Sequence, residues 1–494
     1  MKRAIWTYLL PAILLLAVTL PHLDQGDFRT DTARYAAVGL QAWQDHSLFW
    51  TPHLHPDVPY FNKPPLVFWI HGLVLHLFGI SLVAARLPTI MAAMGSLLVT
   101  VAIVKRLMGG STAVATGIVL ALTYEFVRRT REISLDMWQL CFMMATLWLV
   151  LESVRRRWVF GSWAAGVPLG LALMCKPLMA FLVMPFLIMA TGRNGRRRDL
   201  IGLLTVTLLV AIPWHISMWH LHGHGFFDCY FGHEVMNRAM GQLNRQPYWF
   251  YFTGIGRSYW PWLIPAVAGT WLLVQGKYSR HNKTGLLLAG AWLTLWFLAL
   301  SLFPDKRTRY GLPLHPALAV FSGAALARLP WKRLRRWHRG KTPLIMAGLI
   351  AAAGMITASL PLRVQAPPDP HLKALMEWVQ RAGPDPIYSA ALSTNDEGLF
   401  FLKTGHWPRP IPRRQGLIRA DLPKGVYLIY SAEIPDHPGP NEKTVFASGQ
   451  ITVTRLGTGG WQPNAGGPHT ETDQERTPHR QANEEKDGIH EVVP

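Results

Sequence analysis

The sequence predicts an all-α polytopic membrane protein followed by a small α/β domain outside the membrane. Three observations predict it. Half of the 494 residues are hydrophobic and only 16% are charged, whereas a soluble domain carries about 25% charged residues. Apolar runs near the roughly 20 residues that cross a bilayer as a helix recur through the first three quarters of the chain. Lys and Arg gather at the ends of those runs, as in Arg155-Arg156-Arg157, Arg196-Arg197-Arg198 and Lys332-Arg333-Leu334-Arg335-Arg336. That is the positive-inside pattern.

The runs must be helices, because backbone polar groups cannot stay open in lipid. About eleven spans are expected, at residues 5–22, 82–104, 112–127, 134–152, 159–175, 177–191, 200–219, 261–275, 284–303, 309–327 and 342–360. The first run follows Lys2 and Arg3 as a signal peptide would, but no small-x-small cleavage site comes after it, so it reads as a retained helix. With the N-terminus inside, the loops at 105–110, 153–158, 192–199, 276–283 and 328–341 are cytoplasmic, short and basic. The loops at 23–81, 220–260 and 304–308 fall outside. Residues 66–78 are amphipathic and suit the interface.

Residues 361–459 form the predicted α/β domain. Pro361 to Pro370 is a proline-rich linker, and Leu372, Leu375, Met376 and Val379 share one side of a helix. Val426 to Tyr430 and Ile451 to Val453 read as strands. Residues 460–494 have few large apolar residues and read as a disordered tail. The three parts are therefore 1–360, 361–459 and 460–494.

The net charge of +20 raises nucleic-acid binding, but basic residues at helix ends do not make one basic face, and no nucleic-acid partner is expected. Cys141, Cys175 and Cys229 make neither a disulfide framework nor a metal motif at their spacings.

Chemistry-bearing residues collect on the outer side. Asp31, Arg34 and Tyr35 follow the first span. They read either as interfacial polarity or as a site whose carboxylate is base to an acceptor hydroxyl. Lys63 stands in Tyr60-Phe61-Asn62-Lys63-Pro64-Pro65, where two prolines constrain the backbone and an ammonium suits a phosphate. Arg131, Glu132 and Asp136 stand at the mouth of a span, either in a salt-bridge cluster with Arg128 or Arg129 or in a functional site. Lys176 interrupts two apolar stretches, and Lys306, Arg309 and Tyr310 open another span. The loop at 220–260 adds His233, Glu234, Arg238, Asn244 and Trp249. So many cations on one side point to an anion near the membrane surface, and a lipid-linked phosphate fits better than a soluble metabolite.

At these residues the chain resembles the membrane glycosyltransferases of the GT-C class, above all the aminoarabinose transferases of lipid A and the protein O-mannosyltransferases. The pattern Asp-Glu-x-Arg-Tyr-Ala appears as Asp31-Thr32-Ala33-Arg34-Tyr35-Ala36, and Tyr-Phe-Glu-Lys-Pro-Pro as Tyr60 to Pro65. Leu-Asp-Met is Leu135 to Met137, and Leu-Thr-Lys-Gly-Pro corresponds to Met174-Cys175-Lys176-Pro177, one residue shorter. Gln246-Pro247-Tyr248-Trp249-Phe250-Tyr251 and Lys306 through Pro316 match the later elements. The likeness covers about residues 5–330.

The resemblance implies a GT-C fold of about eleven to thirteen membrane helices, in a bacterial inner membrane, with the site and the C-terminal domain facing the periplasm. It implies an inverting reaction in which a polyprenyl-monophosphate sugar is the donor and a lipid, glycan or protein is the acceptor. Asp31 would be the general base. Arg34, Tyr35, Lys63, Arg131, Lys176, Lys306, Arg309 and Tyr310 would hold the donor and its phosphate. Asp136 would orient a cation or the substrate, and Asn62, His233, Glu234, Arg238, Asn244 and Trp249 would shape the acceptor side. Thr32 and Asn62 stand where the aminoarabinose transferases have Glu, and Asn244 where they have His. Asn is a poor metal ligand beside Glu or His, so no cofactor is expected and any metal would be held elsewhere. The rival from another class is a lipid-linked sugar transporter. Such proteins carry internal repeats and midplane sites, and no repeat is visible here.

Overall fold

The computed structural model describes residues 2–456, apart from 22, 29–30, 56–57, 193–196, 238–239, 242–243, 330–368, 384–385, 412, 415–416, 419–421, 423–424 and 432–441. The chain divides into two compact units. One comprises residues 1–25 and 61–365, the other residues 26–60 and 366–494.

The first unit is helical. Helix α1 spans Lys2–Thr19. In the second unit α2 spans Asp31–Gln44, and the strands β1 (His53–His55) and β2 (Val58–Pro59) pair after it. Back in the first unit come α3 (Leu66–Phe78), α4 (Leu82–Met108), α5 (Gly110–Ala121), α6 (Tyr124–Arg128) and α7 (Leu135–Arg156). Four shorter helices follow: α8 (Val159–Ala164), α9 (Gly166–Leu173), α10 (Pro177–Ala180) and α11 (Met184–Gly192). Next are α12 (Arg197–Phe227), α13 (Phe250–Ser258), α14 (Leu263–Val274), α15 (Arg280–Leu302) and α16 (Leu314–Ala327).

Among the described residues α4, α7, α12 and α15 are each long and apolar enough to cross a membrane, and α5 with the segment Tyr124–Arg131 passes the same test as a pair bent by 59°. The expected spans through residue 327 all have helical counterparts. The span at 342–360, the basic cluster before it, the linker and the tail lie outside the described residues. The spans at 112–127 and 159–175 are each built from two helical pieces, and that at 177–191 from α10, a 3₁₀ turn at Phe181–Val183 and α11. The break between 159–175 and 177–191 has a local cause: Pro177 starts α10 because Pro suits the first helical turn, and it ends the helix before it.

Helix starts are fixed by side chains. Ser81 caps α4 through the Ala84 N–H at 3.1 Å, and Ser134 caps α7 through the Met137 N–H at 3.2 Å. Small residues then let helices approach closely, as packing within lipid favours. A Cβ added to Gly323 of α16 would strike the backbone of Thr116 of α5, and one added to Gly269 of α14 would strike the Phe321 carbonyl. The core between them includes Leu120, Trp292, Trp296, Leu314 and Phe321.

The second unit holds α17 (Pro370–Ala382) and α18 (Thr394–Thr404). Its five-stranded sheet runs β4 (Arg409–Pro410), β3 (Ile387–Ser389), β7 (Tyr427–Ser431), β9 (Ile451–Leu456), β8 (Glu442–Ser448). A separate ribbon pairs β5 (Arg413–Arg414) with β6 (Leu417–Ile418). Strand β3 is parallel to β4 and β7, while β9 is antiparallel to β7 and β8. The α17 stripe read from the sequence is the buried one: Leu372, Leu375, Met376 and Val379. Each such aliphatic residue contributes about 1.5–3 kcal/mol when fully buried.

Helix α2 belongs to this unit and packs along α18. A Cβ added to Gly398 would lie 2.9 Å from the Arg34 backbone, so only glycine admits α2 this close. Lys403 of α18 pairs with Asp27 at 3.1 Å. Ala33, Tyr35, Ala36, Ala37, Val38 and Leu40 of α2 are all buried.

Candidate active site

Asp136 opens α7, where the unsatisfied N–H groups of the first turn favour a carboxylate. Lys176 reaches it from the junction of α9 and α10, and its Nζ donates to Asp136 Oδ1 at 2.8 Å. Arg309 approaches Oδ2 with its Nε at 3.9 Å. The Lys176 ammonium also lies 3.9 Å above the Tyr310 ring, a cation–π contact. The side chains of Asp136, Lys176 and Arg309 are 10%, 15% and 22% exposed, so the cluster is sheltered but reachable. Gln139, one turn after Asp136, donates to the Lys176 carbonyl and holds that backbone in place.

Arg129 supports the cluster from behind. Its Nε donates to Glu125 Oε1 and its Nη1 to Glu132 Oε1, both at 2.6 Å, and its Nη2 donates to Thr308 Oγ1 at 2.9 Å. A buried guanidinium needs such pairing to offset desolvation. The contact with Thr308 sets the turn from which Arg309 and Tyr310 project. The salt-bridge cluster considered from the sequence is therefore present at Arg129 and Glu132.

Arg131 donates through Nη2 to the carbonyls of Pro21 at 3.0 Å and Val18 at 3.5 Å. Beside it Arg86, fully buried, donates to the carbonyls of Leu23 at 2.6 Å, Gln25 at 2.8 Å and Arg131 at 2.8 Å. Together they satisfy carbonyls at and beyond the end of α1, where cations are favoured. Nothing in the sequence marks Arg86, since its partners are backbone atoms.

Lys306 is likewise committed. It is wholly buried, and its Nζ donates to Phe303 O at 2.7 Å and Gln246 O at 3.2 Å, with the Tyr248 ring 5.4 Å away. Burial pushes its pKa below the ordinary lysine value. The segments 244–246 and 304–306 pair around it: Lys306 N donates to Asn244 O at 3.2 Å, and Asn244 Nδ2 donates to Lys306 O at 2.9 Å. Trp249, 65% exposed, follows at the entry to α13.

Lys63 precedes α3, and its Nζ donates to Asn62 O at 2.9 Å. Asn62 Oδ1 accepts from Cys229 Sγ at 3.3 Å. His233 and Glu234 lie in the π-helical run Asp228–Asn237 that continues α12. Their side chains, and Arg238 as a whole, are outside the described residues. Among the described residues no three His, Cys, Asp or Glu side chains gather as metal ligands.

In the second unit Asp31 begins α2 and Arg34 donates to it through Nη2. The Arg34 guanidinium lies 5.6 Å from the Tyr35 ring and 5.7 Å from the Tyr60 ring. Tyr35 is buried, while the side chains of Asp31 and Arg34 are partly exposed.

A carboxylate clasped by cations in the first turn of a long apolar helix, in a chain with several such helices, accompanies a likeness to the membrane glycosyltransferases of the GT-C type. Comparison with known proteins supplies the particulars. The model of the dolichyl-phosphate-mannose-protein mannosyltransferase family matches residues 62–219. An undecaprenyl phosphate-α-4-amino-4-deoxy-L-arabinose arabinosyl transferase of Pseudomonas paraeruginosa is 26% identical over 427 residues, covering 76% of this chain and 75% of that protein. A protein of the same description from Pseudomonas fluorescens is 29% identical over 336 residues, covering 64% and 56%. ArnT from Cupriavidus metallidurans, solved with undecaprenyl phosphate, superposes with a TM-score of 0.70 at 18% identity, covering 90% of this chain and 97% of that one. The Archaeoglobus fulgidus oligosaccharyltransferase matches at a TM-score of 0.55 and 13% identity, covering 87% and 69%. The chain is thus a multi-pass inner-membrane protein.

Proposed function

We propose that the chain transfers a sugar, with inversion, from a polyprenyl-monophosphate donor to an acceptor hydroxyl of a glycolipid such as lipid A, a polysaccharide or a protein. The observation that carries this reading is the convergence of Lys176 and Arg309, each partly exposed, on the buried carboxylate of Asp136 in the first turn of α7. Such a cluster suits an anionic leaving group at the membrane surface. Lys176, Arg309 and Lys63 bind the donor phosphate, and Tyr310 carries the Lys176 ammonium. Asp31, oriented by Arg34, is the base. The acceptor oxygen attacks the anomeric carbon, its proton passes to the Asp31 carboxylate, and the bond to phosphate breaks with its electron pair leaving on the lipid phosphate. Arg131 and Lys306 act through backbone carbonyls and hold the surrounding chain.

A second reading, hexosyl transfer to protein, is favoured by the match to the mannosyltransferase model and by Asn62 and Asn244, which depart from the aminoarabinose pattern. One experiment addresses both. The protein in lipid is incubated with labelled polyprenyl-phosphate sugars and membrane acceptors, beside Asp31→Asn, with and without chelator. The native protein consumes one donor, Asp31→Asn loses about 10²-fold or more of the rate, and the labelled product identifies the acceptor. Activity persists in chelator, because the donor set at Asn62 and Asn244 is poor for a metal. Equal donor consumption by both proteins would remove Asp31 as base. Donor that crosses the bilayer unconsumed would point to the transporter.

A further inference from the structure

We infer that His71 is a positioning residue that clamps the helix following Lys63 to the tip of the helix bearing Asp136. The inference rests on the reading above, in which both sites hold the donor. His71 lies in the middle of α3, whose N-terminus is Pro65, two residues after Lys63. It is fully buried. Its Nδ1 lies 2.8 Å from the Ala85 carbonyl of α4. A carbonyl only accepts, so Nδ1 carries the proton. Its Nε2 lies 3.2 Å from Trp138 Nε1 of α7. An indole N–H only donates, so Nε2 is the bare nitrogen and the ring is neutral in one tautomer.

The same ring edge meets Thr89 Oγ1 at 3.4 Å, and that oxygen accepts from the Ser134 N–H at 3.3 Å. Ser134 is the cap of α7, and Asp136 and Trp138 lie in its first turn. One imidazole thus joins α3, α4 and the start of α7. An apolar residue would fill the space but leave the indole N–H and a carbonyl with one partner fewer. A rotation of α3 about this point moves Lys63 relative to Asp136, and small misplacements of a binding group are costly.

The test uses the full chain in phosphatidylethanolamine–phosphatidylglycerol nanodiscs, with undecaprenyl phosphate as probe. The variants are His71→Leu, His71→Gln, Trp138→Phe, the Leu and Phe pair combined, and Lys63→Met. Without probe, hydrogen exchange of the α3 amides rises about tenfold in His71→Leu and in Trp138→Phe. The Kd for undecaprenyl phosphate rises about five- to tenfold in each and no further in the combined variant, since both remove one clamp. His71→Gln, which keeps a side-chain acceptor, recovers part of both effects. A folded Trp138→Phe protein with native exchange and native Kd would overturn the inference, as would additive effects in the combined variant. If Lys63→Met weakens binding while the clamp variants do not, the inference falls and the donor reading stands. If exchange rises but neither Lys63→Met nor the clamp variants change Kd, the donor reading of Lys63 falls while the clamp itself is supported.

Discussion

Lys176 and Lys306 look alike in the sequence: each is a lone lysine at the outer end of an apolar run, beside proline or an acid. In the fold they differ completely. Lys176 is partly exposed, paired with a carboxylate and laid on a tyrosine ring. Lys306 is sealed and spends its ammonium on two backbone carbonyls. A lysine that meets a carboxylate in a sheltered, reachable place can exchange that partner for a phosphate. A lysine that ties down a loop, as Lys306 does, has two of its three protons committed to backbone carbonyls.

Substitution should separate the two roles, and the largest effect belongs to Lys176. Lys176→Met is expected to lower kcat/KM by about 10²–10³-fold, the scale for losing one preorganised stabiliser of developing charge, with little loss of thermal stability. Steady-state kinetics and a melting curve on the same preparation check this. Lys306→Met should be milder for the chemistry, about tenfold in kcat/KM, but should loosen the pairing of 244–246 with 304–306, at a cost of about 1–3 kcal/mol for carbonyls left short of partners. Limited proteolysis in the 238–250 loop should report it. A loss at Lys306 as deep as at Lys176, with the loop intact, would erase the distinction.

The smallest effect concerns a buried acid that has another acid, not a cation, as its charged neighbour. Burial raises Glu397 of α18 from 4.5 to about 7, and Asp396 adds to the shift. Below pH 4.5 both folded and unfolded chains hold this proton. Between there and about 7 the folded chain holds it more tightly, so its stabilising contribution is lost as pH rises toward and through that value. The slope is at most about 1.4 kcal/mol per pH unit. Exchange of the α18 amides, corrected for intrinsic rate, should therefore accelerate between pH 5 and 8 in the native chain and stay flat in Glu397→Gln.

What the sequence discloses follows from where the partners lie. The α17 stripe was readable because helical periodicity places Leu372, Leu375, Met376 and Val379 on one side. Lys176 and Asp136 stand out in the sequence because charges at span mouths are costly and conspicuous, and the fold pairs them. Arg86, the second life of Arg131, and the sealing of Lys306 were not readable, because their partners are carbonyls and every residue has one. The sequence places His71 only on an interfacial helix, and its contacts are with Trp138 and Ala85, which periodicity cannot bring together. The grouping of α2 with α18 was also hidden. Gly398 looks like an indifferent glycine until the backbone of Arg34 is seen against it.

That grouping has a consequence for biogenesis. The chain makes α2 first and α18 about 350 residues later, with the helices of the first unit between them. At roughly 5–20 residues per second, the helix carrying Asp31 waits about 17–70 s for the helix that packs along it. Until then the apolar side of α2 stands uncovered and Asp31 has no settled frame. The interrupted unit thus makes the order of translation a checkpoint: a ribosome that stops early leaves a bundle already in the membrane, with the residue proposed as its base still on an unfinished element.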